Sequence, residues 1–289
     1  MLSQQKITIT HFILQSIRNK LDELNMILET FPTDILCVNE HWLTKDETNL
    51  YIPNGFVLGN IFVRTLPATH GGCAIYLKSH LTFEVINISE FCLTSLCETV
   101  AIRIPQFNLI VVSIYSTPCS DKKLLTQQIE KIIMYFDVKF RKKCYNLAIA
   151  GDFNVNLLDV KTSSKFLNMF KSFNLYNVHL QPTRQNACLD NIFTTVSSDK
   201  YNVQFLDQDF ISDHAAIFVE IELFTKQTES ITHPHKVRVI KRVLTHDRFE
   251  LLKQELSSIN WNSLENFLDT DSALNFFNET LITTLNIAP

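Results

Sequence analysis

From Lys6 to Leu223 the chain alternates short apolar runs with a few amphipathic stretches. "KITITHFI" reads as a strand, and "SIRNKLDELNMILETFP" sets Ile17, Leu21, Leu24, Leu28 and Phe31 at helical spacing. Ser16 is the expected N-cap of that helix and Pro32 its stop. "DILCVNE" is a continuous apolar run of strand length, the pattern of a strand buried on both faces. "GGCAIYLKS", "ETVAIRI", "FNLIVVSIYS" and "YNLAIAGDF" read as further strands, and "CLDNIFTTV", "VQFLD" and "AAIFVEIEL" complete the series. Two more helices are expected. One covers 121–136, with Leu125, Ile129, Ile132 and Phe136 on one side; the other lies around "SSKFLNMFKSF", with Phe166, Phe170 and Phe173 facing a core. Many strands with helices interspersed, but no regular βαβ repeat, predict two sheets packed face to face with helices outside.

The pattern changes after Leu223. "FTKQTESITHPHKVRV" is polar and reads as a linker. Two amphipathic helices follow, the first presenting Phe249, Leu252, Leu256 and Ile259, the second Leu274, Phe277, Leu281 and Leu285. Such faces need something to pack against. The expected division is a domain over 1–224, then a linker and helical extension over 225–289.

Composition narrows the class. Hydrophobic residues make up 46% of the 289 and charged residues 19%, which fits a globular protein and argues against disorder. No apolar run approaches the ~20 residues that span a bilayer. The opening "MLSQQKITITHF" lacks the features of a secretory signal, so an intracellular location is expected. The net charge of −4 removes the broad basic footprint of many DNA binders. Any nucleic-acid contact then needs a local basic groove, for which Arg184, Lys122–Lys123 and Arg141–Lys142–Lys143 are candidates. Seven cysteines, an odd number without a CxxC pair, suit a reducing compartment and no zinc site. His233 and His235 stand without a supporting cluster, and coordination there is not expected.

The chemistry sits where polar residues end apolar runs. Glu40 ends "DILCVNE", Tyr115 ends "LIVVSIY", and Asp152 and Asn154 follow Gly151 in "GDFNV". Asp190 lies in "CLDNIF", and Asp213–His214 abut the last apolar run. A carboxylate or imidazole at the lip of a buried strand is costly to desolvate unless it is paired or binds a metal. With only five glycines in the chain, Gly71, Gly72 and Gly151 mark places of close approach or positive φ, and Gly151 is expected to let the chain approach a ligand. Four carboxylates, an imidazole, an amide and a phenol suit metal-assisted phosphoester hydrolysis.

In order and local context, "QSIRNKLDEL", "DILCVNEHWL", "HGGCAIYLKS", "LIVVSIYSTP", "LAIAGDFNVNLL", "PTR", "CLDNIFTT" and "SDHAAIFVEI" resemble the endonuclease/exonuclease/phosphatase superfamily. Within it they look most like the endonuclease domain of non-LTR retrotransposons of the jockey-like kind. The resemblance covers Ser16 to Glu222, and the tail is similar to the segment preceding a reverse transcriptase. It implies a four-layer α/β sandwich of two mixed sheets flanked by helices, with a short helical extension. It also implies a nuclease that uses Mg²⁺, or Mn²⁺ in its place, to nick one strand of double-stranded DNA, leaving a 3′-hydroxyl for reverse transcription. Carried over by position, Glu40 and Asp213 would bind the metal. Asp152 would orient or deprotonate the water and Asn154 would hold it or the phosphate. His214, oriented by Asp190, would stabilise the charged phosphate, and Tyr115 would hydrogen-bond a phosphate oxygen. No role is implied for His41 or His70, no membrane is involved, and action on chromosomal DNA would place the protein in the nucleus.

Two positions depart from the pattern. Ile13 stands where such domains carry a metal-site asparagine, and Ser116 where an arginine commonly follows the site tyrosine. An isoleucine offers no lone pair to a cation, and the serine removes a fixed positive charge. Reduced nuclease activity is therefore expected. A catalytically dead binding module, or a superfamily phosphoesterase with another substrate, remains as an alternative.

Overall fold

The computed structural model describes residues 3–65, 70–140, 145–207, 210–225, 246–267 and 269–287. Its strands are β1 Ser3–Ile13, β2 Ile35–Asn39, β3 Phe56–Phe62, β4 Cys73–Lys78, β5 Glu84–Ile86 and β6 Glu98–Ile104. They continue with β7 Leu109–Tyr115, β8 Asn146–Asp152, β9 Tyr176–Asn177, β10 Asp190–Thr194, β11 Tyr201–Leu206 and β12 Ala216–Thr225. The helices are α1 Leu21–Thr30, α2 Lys122–Phe140, α3 Val160–Ser172, α4 His246–Ser258 and α5 Thr270–Ile287.

The twelve strands form two six-stranded sheets, ordered β11-β12-β1-β2-β4-β3 and β5-β6-β7-β8-β10-β9. Each is mixed in the same way: one central parallel pair, β1 with β2 or β7 with β8, and antiparallel pairing everywhere else. Helices α1 and α2 are the crossovers that a parallel pair requires.

Three apolar clusters make the four layers expected from the sequence. Between the sheets lie Ile9, Ile35, Ile75, Ile102, Val111, Ala150, Ile192 and Val219. Leu24, Ile27 and Leu28 of α1 cover Phe12, Leu36 and Tyr76 on the outside of the first sheet. On the second sheet α2 and α3 bury Ile129, Phe136, Phe166 and Phe170 against Ile110, Val112, Ile114 and Phe193. Phe170 stacks on Phe193 at 3.8 Å between centroids and 4° between planes.

Local chemistry explains the helix ends and corrects one of them. Asp159 caps α3 by accepting the Lys161 amide, and Asp121 accepts the amides of Lys123 and Leu124 at the start of α2. Ser16 does not cap α1. It sits at φ 85° and gives its amide to the Glu40 carbonyl, so residues 14–19 form a loop and the helix begins at Leu21. Strand β3 is absent from the sequence expectation because a register shift between Leu58 and Asn60 breaks its alternation.

The chain divides into two compact units, Met1–Glu229 and Ser230–Pro289. In the second, α4 and α5 meet through a short 3₁₀ turn, with Trp261 against Phe277 and Phe267 against Phe276. Leu252 is buried as the pattern predicts, whereas Leu274 and Phe277 are 54% and 38% exposed. Residues 226–245, with His233 and His235, lie outside the described residues, as do Arg141, Lys142 and Lys143. No described helix is long and apolar enough to cross a membrane, and the six described cysteines are free.

Candidate active site

The topology brings strand ends from both sheets to one edge of the sandwich. Strands β1 and β2 finish there at Ile13 and Asn39, and β7 and β8 at Tyr115 and Asp152. Antiparallel β10 starts there at Asp190, which faces Asp152 in register, and β12 starts just beyond His214. Residues separated by more than a hundred positions thus become neighbours.

At the centre stand Asp152, Asp190 and His214, each buried, with one ligand atom of each within 4.8 Å of the others. His214 Nδ1–H donates to Asp190 Oδ2 at 2.7 Å. Burial alone would pull the imidazole down, but the Asp190 charge and hydrogen bond, with Asp152 and Asp213 nearby, raise its pKa to about 9. Burial likewise opposes ionisation of Asp190, yet the His214 charge and hydrogen bond outweigh it and hold that carboxyl below its ordinary value. For Asp152, burial and the Asp190 charge both act upward and leave its pKa well above normal. Such a carboxyl is ready for a cation that would restore its ionisation.

Asn154 fixes Asp152 from the following loop. Its amide N–H donates to Oδ1 at 2.9 Å, and its side-chain Nδ2 donates to Oδ2 at 2.8 Å and to the Ser116 carbonyl at 2.7 Å. Asn154 holds this position at φ 48°. Tyr115 donates its hydroxyl to Glu40 Oε1 at 2.8 Å, and the Trp42 indole N–H reaches Glu40 Oε2 at 3.2 Å. Burial and the Glu40 carboxylate push the Tyr115 phenol up, so it remains a donor.

The two residues to which the resemblance assigns the metal flank the central trio. Glu40 adjoins it through Tyr115, the register partner of Asp152. Asp213, 40% exposed, lies 3.9 Å from His214 Nε2. Its oxygens are engaged by Gln15 Nε2 at 2.9 Å and Arg184 Nη2 at 2.6 Å. Ile13 is 2% exposed, and strand alternation puts it on the face of Ile7 and Ile9, beside Asn39. Ser116 is buried, its hydroxyl 2.6 Å from that of Ser120, which also receives Lys122 Nζ.

Three further residues carry no sequence signal of their role. Asn39 Oδ1 accepts the Asp152 amide at 3.1 Å and also accepts from His11 Nε2 at 2.9 Å. That leaves His11 Nδ1 facing Asp190 Oδ1 at 3.9 Å, both buried and without a hydrogen-bond partner. Burial lowers the His11 pKa. His41 also packs beneath the site, with Nδ1 accepting the Leu43 amide and Nε2–H donating to the Phe62 carbonyl. Exposed His70 lies against Trp42, with ring centroids 4.3 Å apart and planes tilted by 30°. Gly151 serves a neighbouring strand rather than a ligand: a Cβ there would meet the Ile114 carbonyl oxygen at 2.0 Å.

The oxygen-rich set that Glu40 and Asp213 complete around a buried, hard-to-ionise Asp152 fits a hard divalent cation.

A model of the Endonuclease/Exonuclease/phosphatase family matches residues 14–214. Among solved structures, the endonuclease domain of TRAS1, a telomere-specific non-LTR retrotransposon, is similar at 18% identity and TM-score 0.57, covering 76% of this chain and 99% of that one. The 3′ phosphatase NExo from Neisseria, bound to product DNA hairpin, aligns at 15% identity and TM-score 0.58, covering 74% and 99%. An AP endonuclease from Archaeoglobus fulgidus aligns at 15% and 0.56, with the same coverage of 74% and 99%. No curated protein sequence matches the chain. At these identities the structural likenesses speak for the fold.

Proposed function

We propose, from the premise that this chain belongs to the endonuclease/exonuclease/phosphatase family, that it is a metal-dependent phosphodiester hydrolase that nicks double-stranded DNA. The observation that carries this reading is the buried His214–Asp190 pair with Asp152 beside it. The likeness to the TRAS1 domain supports a retroelement endonuclease in particular. In that setting the 3′-hydroxyl would serve a reverse transcriptase domain, and the site of action would be nuclear.

Glu40 and Asp213 would hold Mg²⁺, or Mn²⁺, which when bound draws off charge from the reacting phosphate. Asp152, aligned by Asn154, accepts the proton of the attacking water. His214 stays protonated at neutral pH and, with Nδ1 given to Asp190, offers Nε2–H to a phosphate oxygen. Tyr115 would supply a second donor once its hydroxyl turns from Glu40 to a phosphate oxygen. Ile13 contributes no ligand and Ser116 no charge, so turnover is reduced.

Nicking of supercoiled plasmid in Mg²⁺ tests the reading. The chain should convert plasmid to open circles, and Asp152→Ala should stop it; equal nicking by the two proteins would sink the assignment. A second reading is a DNA-binding module without turnover. It draws on Asp213, whose oxygens are already engaged by Gln15 and Arg184. That reading predicts DNA retention, no nicking, and no heat of Mg²⁺ binding.

A further inference from the structure

Glu98 opens β6 at the same edge of the sandwich, opposite Tyr115 in register, and its carboxylate is wholly buried. Both oxygens are used. Oε1 accepts Arg64 Nε at 2.5 Å and the Ser95 amide at 2.9 Å, and Oε2 accepts the Gly72 amide at 2.7 Å. A buried ion pair is weak evidence for stability, so its placement asks for another reason.

What the pair holds is the Gly71–Gly72 turn. Arg64 Nη1 donates to the His70 carbonyl just before it. The glycines stand at φ 140° and 89°, and there is no room for a side chain on either. A Cβ on Gly71 would lie 2.3 Å from Arg64 Nε, and one on Gly72 would lie 2.3 Å from His41 Nε2.

The turn in turn holds the Glu40 loop. Gly72 O accepts the Glu40 amide at 2.9 Å, and Gly71 O accepts the Trp42 amide at 3.2 Å. Glu40 and Trp42 sit at φ 53° and 57°. Non-glycine residues keep that conformation only where the surroundings over-determine it. The Arg64 guanidinium also lies 5.8 Å from the centre of the Tyr115 ring, whose hydroxyl holds the Glu40 carboxylate.

We propose that Arg64 and Glu98 are positioning residues for Glu40. The buried pair fixes the Gly71–Gly72 turn, and the turn's carbonyls fix the backbone from which Glu40 presents its carboxylate to a divalent cation. The inference rests on Glu40 as a metal ligand.

The test uses the full chain carrying Glu98→Gln, or Arg64→Met together with Glu98→Leu. The double change leaves no unpaired buried charge, which keeps its cost to folding below that of breaking the pair. Hydrogen exchange is measured on the metal-free proteins, and Mg²⁺ affinity by calorimetry. In both variants the Glu40 and Trp42 amides should lose protection relative to the rest of their sheet. Mg²⁺ should bind roughly 10- to 100-fold more weakly, the more so in the double variant. Protection equal to wild type overturns the proposal. So does loosened exchange with unchanged Mg²⁺ affinity while Glu40→Gln lowers it. If Glu40→Gln itself leaves Mg²⁺ affinity unchanged, the ligand assignment fails, and the amide protection still decides whether the pair positions Glu40.

Discussion

His214 Nδ1 stands 2.7 Å from Asp190 Oδ2, with 3% and 0% of the two side chains exposed. The pair is therefore an ion pair with almost no solvent to screen it. His214 has a folded pKa of about 9 against 6.5, so its contribution to stability is complete below about 6.5 and is lost as pH rises through about 9. Asp190 acts in the opposite sense: its contribution is present above 3.8 and is lost as pH falls through its depressed value. Asp190→Asn removes the largest of the charges that raise His214, together with its hydrogen bond. NMR of the metal-free protein should then place the ring titration below the wild-type value of about 9. An unmoved titration would show that Asp190 is not the controlling partner.

Asp152 trades stability for chemistry. Its raised pKa means that the unfolded chain gives up this proton more readily, so the side chain weakens the metal-free fold at neutral pH. Asp152→Asn should raise the melting temperature at pH 7 and, as loss of a general base, lower nicking roughly 10²- to 10⁴-fold. A lower melting temperature in the variant would contradict the raised pKa of the buried carboxyl.

Ile13 lies beside Asn39 on the face that looks toward the second sheet. Ile13→Asn restores an oxygen donor at that strand end. It should raise Mg²⁺-dependent nicking and Mg²⁺ affinity by roughly tenfold or more, within the range that supporting ligands command. Robust nicking by the wild type, unchanged in the variant, would remove Ile13 as the cause of weak turnover.

Phe170 is buried completely and stacks on Phe193 between α3 and the second sheet. Phe170→Ala should cost roughly 3–5 kcal/mol in denaturant unfolding. A loss below about 1 kcal/mol would mean that the aromatic cluster collapses around the gap.

What the sequence revealed follows physical lines. Strands buried on both faces, such as β2 and β8, announce themselves as continuous apolar runs, and the polar residues at their ends mark the site edge. Tertiary hydrogen bonds left no such trace. Ser16 looks like a helix cap, but its amide is taken by the Glu40 carbonyl. Gly151 suggests ligand approach, but the constraint comes from Ile114 on the adjacent strand. His11 and Asn39 are polar positions inside apolar runs, and their partners lie on strands far along the chain. Glu98 reads as an ordinary strand start, because Arg64 and Gly72 reach it only once β3, β4 and β6 have assembled.

Strand β12 fills the place between β11 and β1, pairing with β1 from Ser3↔Thr225 to His11↔Ile217. The opening segment of the chain therefore has no partner on that side until the end of the domain has been synthesised. Closing so long a loop adds little to the equilibrium cost but slows the search for the native pairing. During translation β1, paired with β2 on its other side, keeps this edge open for nearly the whole domain, the stage at which aggregation threatens most.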